Sequence, residues 1–124
     1  MQRERYDVII VGASPAGIFA ALELTRKSDL SVLIIDKGKD ISQRQHKGES
    51  LISGWGGAGA FSDGKLNFST TSGGWLREYV GVERLKQLMD EVDKIYLEFG
   101  ASNQIYGVDL DEIAHIVRKA ALAG

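Results

Sequence analysis

Residues Tyr6 to Gly17, Tyr-Asp-Val-Ile-Ile-Val-Gly-Ala-Ser-Pro-Ala-Gly, join an apolar run to a glycine turn and the start of a helix with no linker between them. The β-branched run Asp7 to Val11 is what a parallel strand buried on both faces requires. Gly12 takes the tight turn. Pro15 fits the first helical turn, where its missing N–H costs nothing, and Gly17 lets the helix lie close against the strand. The unpaired N–H groups and positive dipole end of that helix predict a pyrophosphate cradle at Gly12, Ala13, Ser14, Pro15, Ala16 and Gly17. Ser14 departs from the G-x-G-x-x-G pattern, standing where a second glycine gives the closest approach of backbone to phosphate. Its small hydroxyl is suited to cap the helix or to donate to a phosphate oxygen.

The rest of a β-α-β unit follows. Ile18 to Lys27 has helical apolar spacing, Asp29 sits in a turn, and Ser31 to Ile35 reads as a second strand closed by Asp36. Asp36 lies 24 residues after Gly12, near the spacing of about 20 residues at which an acid accepts hydrogen bonds from adenosine ribose hydroxyls. A carboxylate there disfavours a 2′-phosphate. The bland reading is an ordinary crossover without a ligand, and the agreement of strand, turn, helix and acid outweighs it. Parallel strands over 6–11 and 31–36 place the chain in the α/β class, as part of a doubly wound sheet. The polar stretch from Asp36 to Lys47 is loop or short helix. Its basic residues Lys37 and Arg44 stand near enough to reach ribose or pyrophosphate, Arg44 with a fork matched to phosphate. A solvated connection is the equal alternative.

The segment Ser53-Gly54-Trp55-Gly56-Gly57-Ala58-Gly59-Ala60 is unsuited to a helix interior, where each glycine costs about 1 kcal/mol. Missing side chains on this scale predict the close approach of a flat ligand or of another backbone. The flanking Trp55 and Phe61 argue against a floppy linker, and ligand approach is the favoured reading. Ser62-Asp63-Gly64-Lys65 then forms a turn, with Ser62 and Asp63 beside the expected ligand. Lys65 is placed to neutralise an anion or polarise a carbonyl, or else ends a solvated turn.

Composition excludes several alternatives. The 124 residues bound one domain at most, with 44% hydrophobic content and a net charge of −2. No basic footprint for nucleic acid is present. With no cysteine, disulfides, thiolate metal sites and dithiol chemistry are excluded, so any redox chemistry belongs to a bound cofactor. The two histidines, His46 and His115, have no metal-ligand spacing, and the G-x-S-x-G elbow of a hydrolase is absent. Met1 to Arg5 shows no secretory signal, and no apolar run reaches the roughly 20 residues of a membrane span. The default expectation is therefore a cytoplasmic protein.

Val82 to Phe99 carries Val82, Leu85, Leu88, Met89, Val92, Ile95, Tyr96 and Phe99 at helical spacing, a core-facing amphipathic helix with Gly100 as its stop. Asp109 and Glu112 mark the start of a last helix over 110–122.

The segments Val11 to Gly17, Ile35-Asp36-Lys37 and especially Gly54-Trp55-Gly56-Gly57-Ala58-Gly59-Ala60-Phe61-Ser62-Asp63-Gly64-Lys65-Leu66 resemble the start of a glutathione-reductase-like, Rossmann-type FAD-binding flavoprotein. The nearest likeness is to the broad family of FAD-dependent dehydrogenases. That resemblance implies that Gly12 to Gly17 hold the FAD pyrophosphate and Asp36 the adenosine ribose. It assigns Gly56, Gly57, Ala58, Gly59 and Ser62 to the inner part of the cofactor, towards the flavin. It implies a flavin-dependent oxidoreductase, with NAD(P)H a candidate electron donor to the intact enzyme and no catalytic residue identifiable. Such flavoproteins are several times longer and complete the FAD domain with later strands. Residues 1–124 therefore read as the N-terminal portion of one FAD-binding domain, expected to bind FAD poorly alone. The competing readings are a non-catalytic nucleotide-binding module completed by a partner chain and a nicotinamide-dependent dehydrogenase.

Overall fold

The computed structural model describes residues 5–123. Met1 to Glu4, most of the segment read above for a secretory signal, and Gly124 lie outside the described residues. The chain forms two compact units, one through Leu66 and one from Asn67.

The first unit is built on β1 (Val8–Val11), α1 (Pro15–Lys27) and β2 (Val32–Ile35). The strands pair in parallel, Val8 opposite Val32 through Val11 opposite Ile35. Both are shorter than the expected 6–11 and 31–36, and at their start the Ser31 N–H is diverted from the ladder to a side chain. The Asp7 carboxylate accepts from the Ser31 N–H at 2.8 Å and the Ser31 hydroxyl at 2.5 Å, and Asp36 leaves the ladder altogether. α1 packs on both strands. Its close approach is made at Gly17, where an added Cβ would sit 2.0 Å from the Gly12 carbonyl oxygen and 3.3 Å from Ile10 Cγ2. Gly12 has φ +108°, the turn that needs glycine. The expected burial on both faces is not reached, and Val8 and Ile10 on one face of β1 are half-buried. Ile9, Val11 and Ile35 are exposed, Val11 at 85%, since no other described element of this unit lies against them.

Three short elements follow: a 3-10 turn at Ile41–Gln43, α2 (Glu49–Ile52) and a 3-10 turn at Gly57–Phe61. The last is the regular element within the glycine block, which forms no helix interior. A single tight turn requires only local bonds, such as Ser62 N–H to Gly59 O at 3.2 Å, and not a sustained helix.

The second unit holds α3 (Leu76–Val80), α4 (Val82–Glu98) and α5 (Leu110–Ala123). Gly81, at φ +78°, turns α3 into α4, and the two pack together. The apolar stripe of α4 is its less exposed side, with Ile95 buried. Gly100, at φ +90°, closes α4 through Gly100 N–H to Leu97 O and Ala101 N–H to Tyr96 O, both 3.0 Å. This is the Schellman pairing. Asp109 caps α5 by accepting from the N–H groups of Asp111 and Glu112 at 2.9 and 3.1 Å. No described helix is long and apolar enough to cross a membrane.

Candidate dinucleotide site

The site grows from Asp36, just beyond β2. Its Oδ2 accepts from the Ala13 N–H at 2.8 Å, and its Oδ1 accepts from the N–H groups of Gly38 and Gly54, each at 2.7 Å. One carboxylate thus ties together the glycine turn, its own following turn and the glycine-rich block. The N–H bond from Ala13, then that from Gly38, holds the carboxyl below the ordinary aspartate value, and the Gly54 N–H and Arg44 charge act in the same direction against partial burial.

The two glycine segments meet. Gly56 N–H donates to the Ala13 carbonyl at 2.8 Å. A Cβ on Gly59 would stand 3.7 Å from Pro15 Cγ, and one on Gly57 3.9 Å from Ser14 Cα. The block therefore runs beside the N-terminus of α1. Backbone approach, the second of the two reasons expected for its missing side chains, is seen at Gly54, where a Cβ would stand 3.0 Å from Lys39 O, and that approach bears harder on Gly38 across from it. A Cβ on Gly38 would lie 2.1 Å from Gly54 N. Gly38 carried no site assignment from the sequence, and its only signal was the turn after β2.

Ser14 makes no side-chain cap, and Pro15 has no N–H to offer. The first-turn N–H groups of α1 at Ala16 and Gly17 have no intrahelical acceptor, which leaves them suited to an anion. Gly12 has open space where a Cβ would stand. An open glycine turn, an uncapped helix start and a nearby carboxylate fit the pyrophosphate and ribose of a dinucleotide. Beside them lies a cavity of about 410 Å³ lined by Ala13, Ile34, Asp36, Lys39, Ile41 and Trp55, among others. Ile34, Ile41 and Trp55 give it apolar walls that sequence spacing alone did not bring together.

Arg44 is neither solvated nor turned outward. It is 8% exposed. Its Nε donates to Ser50 O at 3.2 Å, Nη2 to Leu51 O at 3.0 Å and Gly57 O at 2.8 Å, and Nη1 to Trp55 O. The guanidinium also lies 4.8 Å over the Phe61 ring, whose other neighbour is the stacked His46 ring at 5.3 Å. Lys37, Ala58 and Ser62 are exposed. Lys65 pairs with Asp63 at 3.0 Å, and that pairing, first through the lysine side chain, lowers the Asp63 pKa. No group of acids and histidines among the described residues could hold a metal ion.

Glycine turn, uncapped helix and acid after the second parallel strand define a Rossmann-like dinucleotide-binding unit. The chain belongs to the NAD(P)-binding Rossmann-like domain family, which it matches over residues 10–81. It is similar to an uncharacterised protein of Clostridium beijerinckii, 40% identical over 70 residues, which span 47% of this chain and 13% of that protein. It is also similar to the mitochondrial electron transfer flavoprotein-ubiquinone oxidoreductase of Arabidopsis thaliana, 44% identical over 54 residues, which span 40% of this chain and 8% of that protein. The chain thus aligns with only a small part of either relative. No solved structure matches it.

Proposed function

We propose that this chain is the dinucleotide-binding portion of a flavin-dependent oxidoreductase and that its dinucleotide is FAD. The observation that carries the reading is the seating of the second glycine segment at the start of α1, through the Gly56 to Ala13 hydrogen bond. A dinucleotide whose pyrophosphate lies at Gly12 to Gly17 would continue along Gly56 to Ser62. Similarity to a relative named as an electron transfer flavoprotein-ubiquinone oxidoreductase supports a flavin. The bound flavin would supply hydride or electron-pair transfer, while the chain binds and orients it. The N–H groups of Ala16 and Gly17 would face the pyrophosphate, and Asp36 would accept from a ribose hydroxyl. The matched family's NAD(P) description favours a second reading, a nicotinamide dinucleotide in the same cradle. Titration of the cofactor-free natural protein with FAD, NAD and NADP separates the two. Saturable FAD binding with a shifted flavin spectrum supports the proposal, and preference for NAD or NADP overturns it.

A further inference from the structure

We infer that Arg44 is a positioning residue of the dinucleotide site: its guanidinium holds the glycine-rich block against the glycine turn, and does not bind the dinucleotide's phosphates. This rests on the dinucleotide reading above. A guanidinium carries five N–H donors. Arg44 directs four hydrogen bonds to the carbonyls of Ser50, Leu51, Trp55 and Gly57. Fork pairing with a phosphate needs two parallel free donors, and only one N–H is left. A charge this buried is tolerated only when its donors are matched, and these four carbonyls match them.

Asp36 grips the same segment from the donor side. It accepts from Gly54 N–H, while Arg44 donates to the carbonyls of the next residue and of Gly57. Anion and cation together fix the peptides of residues 54–57. Gly54 and Trp55 also line the cavity beside Asp36, so displacing the block changes the cavity wall as well as the path beyond the pyrophosphate. A phosphate ligand would affect only ligands that carry phosphate. A positioning residue affects adenosine too.

The test compares ADP and adenosine binding to the full natural protein, freed of cofactor, as wild type, Arg44→Ala and Arg44→Lys. The expected result for Arg44→Ala is a loss of about tenfold or more for both ligands by a similar factor. Binding should be restored by added guanidinium but not by sodium at equal concentration. Arg44→Lys should recover part of the loss, because an ammonium cannot reach all four carbonyls. Amide exchange over residues 54–61 should rise in ligand-free Arg44→Ala. Loss of ADP binding with adenosine binding unchanged overturns the inference, as does unchanged exchange over 54–61. A loss that guanidinium does not relieve also overturns it. Wild-type protein that binds neither ligand overturns the underlying dinucleotide reading, and is recognised as such because no variant is needed to see it.

Discussion

A carboxylate offers roughly four lone-pair sites, and Asp36 gives three of them to the N–H groups of Ala13, Gly38 and Gly54. What remains suffices for one ribose hydroxyl, so this acid has to organise three backbone segments before it can recognise a ligand. Asp36→Glu should therefore weaken dinucleotide binding and lower the thermal midpoint, although it keeps the charge. The added methylene displaces the carboxylate from donors less than 3 Å away. Calorimetric binding at neutral pH decides the matter, and unimpaired binding by Asp36→Glu would show that ribose recognition alone defines the position. The same bonds set a pH dependence. The folded carboxyl titrates below the ordinary value of 3.8, so the unfolded chain takes up its proton first on acidification. The stabilisation is complete above 3.8 and is lost as pH falls through the folded value. Thermal midpoints followed from neutral pH through that window should fall in the wild type more steeply than in Asp36→Asn. Parallel curves would remove Asp36 from the acid response.

Two glycines at element ends separate steric from conformational need. Gly17→Ala puts a methyl 2.0 Å from the Gly12 carbonyl, which forces α1 off β1, at the upper end of the roughly 1–3 kcal/mol typical of overpacking. Gly100→Ala meets open space, and its cost comes from φ +90° alone, about 1–2 kcal/mol. Denaturant midpoints should rank the two in that order, with dinucleotide binding impaired only by Gly17→Ala. Equal losses, or the reverse order, would refute the close-packing role of Gly17. These ends were legible because Pro15, Gly100 and Asp109 each mark a terminus by chemistry that needs no distant partner. α1 begins at Pro15, three residues ahead of the apolar pattern, while α4 and α5 lie within a residue of their spacing. α2, α3 and the 3-10 turn at 57–61 left little trace, since four or five residues span barely a turn of periodicity. In the site, the spacing from Gly12 to Asp36 was readable. The Arg44 cage was not, because its acceptors are main-chain carbonyls that every residue possesses, and the Gly38 to Gly54 approach is marked only by the two glycines, neither of which names its partner.

At the scale of the whole chain, the sheet sets the limit on cofactor affinity. β1 pairs with β2 and with no other described strand, and the face bearing Ile9, Val11 and Ile35 is exposed, Ile9 at 56%. In a doubly wound sheet the first strand lies inside the sheet with strands on either side, and its carboxyl end carries the pyrophosphate turn. Here the turn at Gly12 hangs from a strand supported on one edge and one face. Local opening at such a strand end requires little free energy, and each opening disperses the N–H groups that a pyrophosphate would need. The 124-residue chain on its own should therefore bind FAD weakly and lose it on gel filtration, and should bind an apolar dye at the exposed sheet face. Flavin absorbance of the protein peak is the measurement. A stoichiometric flavin retained through the column would mean that the two-stranded sheet and the Asp36 and Arg44 contacts are enough to hold the cradle closed.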